Sequence, residues 1–469
     1  MDSKYKVLAS NTIIFAIGNI LVKLISFFLM PLYTSVLTTE QYGVAELLNN
    51  SIEIVIPIAT LCIVEALYRF SIDDEDHSTI FVNSIVVTII GDLLVFIACL
   101  IWYVLFHYEY TFYFFILFVT TTFYKLTIQF ARGLGHVKRY SFYGVLNSFL
   151  LFISNVILLV VLKGSIKSYL LSFSIGYGIS AIVAMIFSEE YKYVELKKFD
   201  YKKLTEMLNY SLPNIPNMLS WWVNSLSDRY IILFFWGSGV TGLYTAASKL
   251  PAMINLVTSI FQQAWQYSTA TEIDNNDNSS FFSNIFRMYS YVCFSCCGFL
   301  IIINKLICKL LLKDNFFIAW KFVPLLLLAA TFGCISTYFG TFYNAIKNNK
   351  MLMISTLFGA VVNLVLNFLL IPLCGGMGAA IATAVSYLVI MVFRMINVLK
   401  FITIIFNKKR FIVQILTLIS LSIIGSYESS ILTILSIIFM CVIVLSDFYV
   451  IKNIFNIGLK SCKIIIDKI

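Results

Sequence analysis

The chain has 469 residues, of which 60% are apolar and 12% charged, with a formal net charge of +9. A soluble domain carries about 45–50% apolar and about 25% charged residues, so this composition excludes a soluble enzyme, a disordered chain and a nucleic-acid binder. It leaves a polytopic membrane protein, because each spanning helix needs about 20 apolar residues.

Apolar runs cover 12–33, 44–68, 80–106, 112–130, 141–162, 166–187, 211–236, 243–268, 284–304, 322–343, 351–373, 376–399, 411–426 and 430–451. Backbone groups in hydrocarbon must be satisfied within their own segment, so these runs are expected to be about 14 transmembrane helices. Barrel strands would instead alternate over about ten residues. The first run follows Lys4 and Lys6 and is too long for a signal peptide, which predicts an uncleaved helix with a cytoplasmic N-terminus. The acidic patch at Asp73-Asp74-Glu75-Asp76 reads as a solvated loop. The polar stretch 188–210 reads as a cytoplasmic linker with an interfacial amphipathic part. Helices 7 and 8 are expected to form a hairpin around Gly237-Ser238-Gly239.

This order also sets the expected sidedness. With the N-terminus inside, 23 of the 33 Lys and Arg residues fall on the inner side, 6 on the outer side and 4 at membrane depth. That is the bias of the positive-inside rule, and it accounts for the net positive charge without a nucleic acid. Most of the ten Cys lie in apolar runs, where a free thiol acts as a small hydrophobe, so neither a disulfide framework nor a metal site is expected.

Sliding 138–174 onto 350–386 aligns Lys138 with Lys350, Asn155 with Asn367, Gly164 with Gly376 and Ser174 with Ser386. Six helices per half place both halves in the membrane in the same sense, a parallel pseudo-repeat of the kind seen in secondary transporters. The expected organisation is an N-lobe over 1–187, the linker over 188–210, a C-lobe over 211–400, and two extra helices with a cytoplasmic tail over 401–469.

A charge at membrane depth costs about 2.5–3.5 kcal/mol on insertion scales and so tends to mark function. Lys23 falls near the middle of helix 1 and Asp92 near the middle of helix 3. Glu46 and Glu53 share one face of helix 2, and Lys125 sits in helix 4. Arg229 and Lys249 each lie ten residues from Gly239 on adjacent helices, with Asp228 beside Arg229. One reading pairs these charges with one another to fix helix packing. The other lines a hydrated cavity with cations that suit phosphate, the carboxylates serving as H+ or Na+ sites. Most aromatics should face lipid, although Trp221, Trp222 and Trp265 could stack on sugar rings.

Pro31-Leu-Tyr-Thr34 with Leu37-Thr-Thr-Glu40-Gln-Tyr42-Gly43 resembles the start of bacterial polysaccharide flippases of the Wzx type, in the multidrug/oligosaccharidyl-lipid/polysaccharide exporter superfamily. Tyr210-Ser-Leu-Pro213-Asn-Ile-Pro216, Asp228-Arg229, Gly242-Leu-Tyr244 with Lys249, and Ala264-Trp265 continue it. Asn344-Ala-Ile-Lys347, Asn363, Asn367, Pro372 and Gly376-Met-Gly378-Ala-Ala380 complete it.

The resemblance implies a V-shaped pair of six-helix lobes around a cationic cavity in the bacterial cytoplasmic membrane, with both termini inside. It implies a non-enzymatic transporter, without a bound cofactor, that flips an undecaprenyl-pyrophosphate-linked oligosaccharide by alternating access. A polysaccharide polymerase and chain-length proteins are the implied partners. By the same resemblance Asp228, Arg229 and Lys249 bind substrate together with Lys23. Depth alone adds Lys125 to that set, and proposes Glu53 and Asp92 beside Asp228 for ion coupling. A multidrug or metabolite antiporter of the same superfamily and a peptidoglycan-precursor flippase are the alternatives.

Overall fold

The computed structural model describes residues 18, 21–25, 27–73, 76–272, 279–346, 349–428 and 430–445. The calls on both chain termini fall outside these residues. Each of the fourteen apolar runs is helical within them apart from short breaks. The protein is an all-helical, multi-pass membrane protein. Nine helices among the described residues are long and apolar enough to span a bilayer, or ten if one bent pair counts as a single span.

The helices are α1 (Leu21–Val36), α2 (Thr39–Ala59), α3 (Ile63–Asp73), α4 (His77–Phe106), α5 (Thr111–Gly133), α6 (Val137–Asn155) and α7 (Ile166–Phe187). After the connecting segment come α8 (Tyr201–Ser211), α9 (Asn214–Ser248), α10 (Ala252–Glu272), α11 (Ser279–Leu311), α12 (Val323–Ala345), α13 (Asn349–Cys374), α14 (Gly376–Val398), α15 (Lys408–Gly425) and α16 (Ser430–Leu445). A π-helical turn at Val156–Val161 extends α6.

Local chemistry explains several boundaries. Thr38 caps α2 through a capping box: its hydroxyl accepts from the Gln41 N–H, and the Gln41 side chain accepts from the Thr38 N–H. Glu40 in the first turn favours the positive end of the helix dipole. The second apolar run is not one straight helix. It bends by 65° between α2 and α3, where Leu61 and Cys62 take positive φ beyond Pro57. A proline inside a helix removes one backbone bond and weakens the turn before it. The eighth run is also broken, by a turn at Lys249–Pro251 between α9 and α10. Gly237 makes the expected turn between helices 7 and 8, with φ 79° and ψ 178°, backbone that a residue bearing a Cβ rarely adopts.

The chain packs as two compact units: residues 1–233 with 237–242, and residues 234–236 with 243–469. In the first unit Gly43 of α2 meets the segment 238–242. A Cβ on Gly43 would lie 2.1 Å from the Ser238 carbonyl oxygen, and one on Gly242 would lie 2.0 Å from the Thr39 carbonyl oxygen. Small residues at such crossings let two backbones touch in a bilayer. A second packing centre joins α3, α4, α5 and α8: Phe81 and Phe130 stack at 4.1 Å over Ile63, Leu67, Leu126 and Met207. In the second unit α12 is the central helix, with 83% of its apolar window buried. By contrast, α4 has only 28% of its window buried and exposes Leu93, Leu94, Ile97 and Ile101, as a lipid-facing helix should.

The polar stretch 188–210 is docked rather than loose. Asn83 on α4 donates to the Asp200 carbonyl and accepts from the Asp200 N–H. Glu190 opens a 3₁₀ turn just past α7 and is fully buried. Neither of its carboxylate oxygens has a hydrogen-bond partner among the described residues, and burial pushes its pKa up to about 8.

Two predictions come from this packing. Gly43→Val should lower the melting temperature and the yield of folded protein, since overpacking costs about 1–3 kcal/mol. An unchanged melt would contradict the close crossing. For Glu190, the folded state holds the proton up to about pH 8, whereas an unfolded chain releases it near 4.5. The folded state therefore binds the extra proton between these values, and stability falls as pH rises through that window. Glu190→Gln should match the parent near pH 4.5 and be the more stable protein above pH 8. Superimposable stability–pH curves would show that Glu190 is not buried as an acid.

Candidate functional site

The first unit holds most of the intramembrane charge, and α2 organises it. Glu46 and Glu53 lie on one face of α2, yet their surroundings differ. Glu46 is buried, and its Oε1 accepts from the Tyr42 hydroxyl at 3.1 Å and the Tyr169 hydroxyl at 2.9 Å. Tyr33 stands against both rings, at 6.0 and 5.0 Å between centroids. Glu53 is half exposed and pairs with Lys125 of α5 at 3.2 Å. Thus one expected substrate cation and one expected coupling carboxylate meet each other. Asp92 on α4 accepts from the Thr122 hydroxyl of α5 at 3.1 Å.

Asp228 and Arg229 occupy α9 in the same unit. Asp228 is buried, and its Oδ1 accepts from the Arg229 N–H at 2.9 Å and lies 3.7 Å from the Arg229 guanidinium. The guanidinium also donates to the Ser225 carbonyl at 2.9 Å. Only 12% of the Arg229 side chain is exposed. Around this pair, the Trp222 ring N–H donates to the Asn50 carbonyl at 3.3 Å, and the Tyr230 hydroxyl sits 2.9 Å from Ser51 Oγ. These bonds tie α9 to α2.

The remaining cations lie elsewhere. Lys23 is exposed on α1. Lys249 belongs to the second unit and sits, half-buried, at the break between α9 and α10. Discontinuous helices of this kind commonly build substrate sites in transporters. Arg394, also in the second unit, is buried within α14. It donates to Ser355 Oγ at 2.9 Å, Thr356 Oγ1 at 2.9 Å and the Ser336 carbonyl at 3.3 Å. Those three contacts cross to α12 and α13, and the guanidinium lies close against Gly340. That packing makes Arg394 a clamp between helices.

Of the three tryptophans considered for sugar stacking, Trp265 is a core residue. It is buried, stacks on Tyr338 at 4.6 Å and donates to the Tyr338 carbonyl. Trp222 keeps a half-buried ring beside Tyr230. The side chain of Trp221 lies outside those described. Sequence reasoning missed the tyrosines around Glu46 because Tyr169 comes 123 residues later in the chain, and Tyr33 and Tyr42, though close by, look like ordinary aromatics of apolar helices. The pairing of Glu53 with Lys125, 72 residues apart, had no local trace either.

The Glu53–Lys125 pair can be tested by a double-mutant cycle. Lys125→Ala, Glu53→Ala and the double variant should reveal a coupling of about 1 kcal/mol or less in thermal stability, the range for partly exposed pairs. Additive effects would leave Lys125 free for another role.

Residues 8–266 match the family described as polysaccharide biosynthesis protein. No curated protein matches the sequence. Among solved structures, the chain is similar to the lipid II flippase MurJ in an inward closed conformation, with a TM-score of 0.70 at 14% identity, covering 94% of this chain and 100% of that one. It is also similar to an inward-facing multidrug resistance MATE family transporter of the MOP superfamily, with a TM-score of 0.63 at 14% identity, covering 82% of this chain and 98% of that one. At such identities the likeness is one of fold. The family match, in contrast, extends over more than half of the sequence and includes the Asp228–Arg229 pair, and the chain therefore belongs to the polysaccharide biosynthesis protein family.

Proposed function

We propose that the protein flips a polyprenyl-pyrophosphate-linked oligosaccharide from the cytoplasmic to the outer leaflet of the bacterial cytoplasmic membrane. The observation that carries this reading is Arg229: a largely buried guanidinium on a membrane-spanning helix, in a chain of a polysaccharide biosynthesis family. Arginine offers a planar fork of donors that matches phosphate oxygens. Asp228 holds the guanidinium from its own helix, so a diphosphate would meet an arginine already oriented. Lys249, at a helix break, and Lys23, on α1, would add cationic contacts. The fold likeness to a flippase for a lipid-linked substrate supports the same class of cargo.

In this reading the N-lobe over 1–187 and the C-lobe over 211–400 alternate access to the cavity. The energy comes from an H+ or Na+ gradient, with Glu53, Asp92 and Asp228 as the candidate carboxylates. A ligand shifts such an equilibrium only by binding one state better than the other. The protein would act as a transporter and not as an enzyme, beside a polymerase and chain-length proteins. A peptidoglycan-precursor flippase is the second reading, favoured by the likeness to MurJ along the whole of that chain.

The test is a deletion strain examined for surface polysaccharide and for lipid-linked intermediates, complemented with the parent and with Arg229→Ala. Loss of surface polymer with lipid-linked oligosaccharide retained inside is expected. Arg229→Ala should fail to restore export at normal protein abundance. Accumulation of a peptidoglycan precursor would select the second reading. Normal polymer with altered drug sensitivity would overturn both in favour of efflux.

A further inference from the structure

The first unit contains an apolar cavity of about 560 Å³ that the charged residues do not explain. Its walls come from α2, α4, the start of α5 and α9, and include Leu47, Ser51, Val95, Cys99, Trp102 and Tyr230. Its volume falls in the range of ordinary ligand pockets, about 300–1,000 Å³.

Three of the lining hydroxyls are already engaged. Ser51 Oγ and the Tyr230 hydroxyl bond each other and the Leu47 carbonyl, and Thr111 Oγ1 donates to the Tyr108 carbonyl. A buried water needs two to four polar partners, and apolar cavities without them stay dry or take up hydrocarbon. The cavity therefore suits a hydrocarbon chain and offers little to a polar headgroup.

Two features say which chain. On α4, Val95, Ala98, Cys99 and Trp102 form one stripe along the cavity, while the neighbouring stripe, Leu94, Ile97 and Ile101, is exposed on a helix whose apolar surface is mostly unburied. A chain can thus enter from the bilayer. On α9, Tyr230 and Leu233 face the cavity, and Arg229 is one residue earlier. At 3.6 residues per turn that is about 100° around the helix. A lipid whose phosphates met Arg229 would start its chain one residue from the α9 face that lines this opening. The proposed diphosphate cargo offers that guanidinium more phosphate oxygens than the single phosphodiester of a bilayer phospholipid.

We infer that the cavity between α2, α4 and α9 binds part of the isoprenoid chain of the lipid-linked substrate while Arg229 engages its diphosphate. The inference rests on the proposed function. The cavity lies next to the His107–Tyr110 turn, which the expected topology places at the outer surface.

The test uses the full-length protein in lipid nanodiscs with a photoactivatable polyprenyl diphosphate. A photoactivatable phosphatidylglycerol serves as the control, and crosslinked residues are mapped by mass spectrometry. The polyprenyl probe should label residues 95–102 and 230–233, and unlabelled polyprenyl diphosphate should abolish that labelling. Ala98→Phe, a change at an exposed position, fills the cavity and should lose it. Labelling elsewhere, or equal capture of the phosphatidylglycerol probe, would overturn the inference whether or not the variant folds. Because this readout needs no polysaccharide, failure here with a positive deletion phenotype removes the chain site alone. Normal polysaccharide in the deletion strain removes the function instead.

Discussion

Hydrocarbon gives a backbone N–H or C=O nothing to bond, and this constraint shapes the protein throughout. It makes every long apolar run a helix, and it restricts breaks to places where the lost bonds are replaced or sheltered. The break after α2 follows that rule: Thr60 N–H still bonds the Ile56 carbonyl, Thr60 Oγ1 bonds the same carbonyl, and the Ile63 N–H reaches Thr60. The break at Lys249–Pro251 does so as well, with the Lys249 and Leu250 N–H groups bonded to Ala246 and Ala247. Each interruption keeps several of its backbone groups bonded, and the first turns the helix by 65°.

Charge placement follows from the same constraint. A carboxylate or cation at membrane depth needs a partner, and those described find theirs in several ways. Glu53 takes Lys125, Asp228 takes Arg229, and Asp92 takes a threonine hydroxyl. Glu46 takes two tyrosines, while Arg394 is held by hydroxyls and a carbonyl. Pairing and function are not exclusive. The Asp228–Arg229 pair fixes a guanidinium in orientation, which is also what recognition of a diphosphate would require. Arg394 fills a tightly packed helix crossing beside Gly340 and reads as structural for that reason.

Much of the site was legible in the residues themselves. Arg229 and Lys249 stood out because charge is rare in apolar runs, and Gly237 marked the turn between their helices. Glu46 and Glu53 were readable as one helix face, but not as two chemistries. Whether a carboxylate on that face meets a lysine or a ring of tyrosines depends on α5 and α7, which arrive more than 70 residues later in the chain. Trp265 was indistinguishable from a sugar-stacking residue until Tyr338 was seen against it.

The sequence by itself determined the membrane environment, the helical class and the positions of nearly all helices, because hydrophobic run length and backbone satisfaction are local properties. It also determined the candidate charges, since desolvation penalises a charge wherever it stands in an apolar run. Only the tertiary structure decided which charges are partnered, where the second run bends and the eighth is interrupted, and that α2 meets the segment after Gly237 at glycine-to-backbone distance. It alone revealed the apolar cavity beside Arg229. These are properties of pairs of helices distant in sequence, and no periodicity within one helix encodes its neighbour.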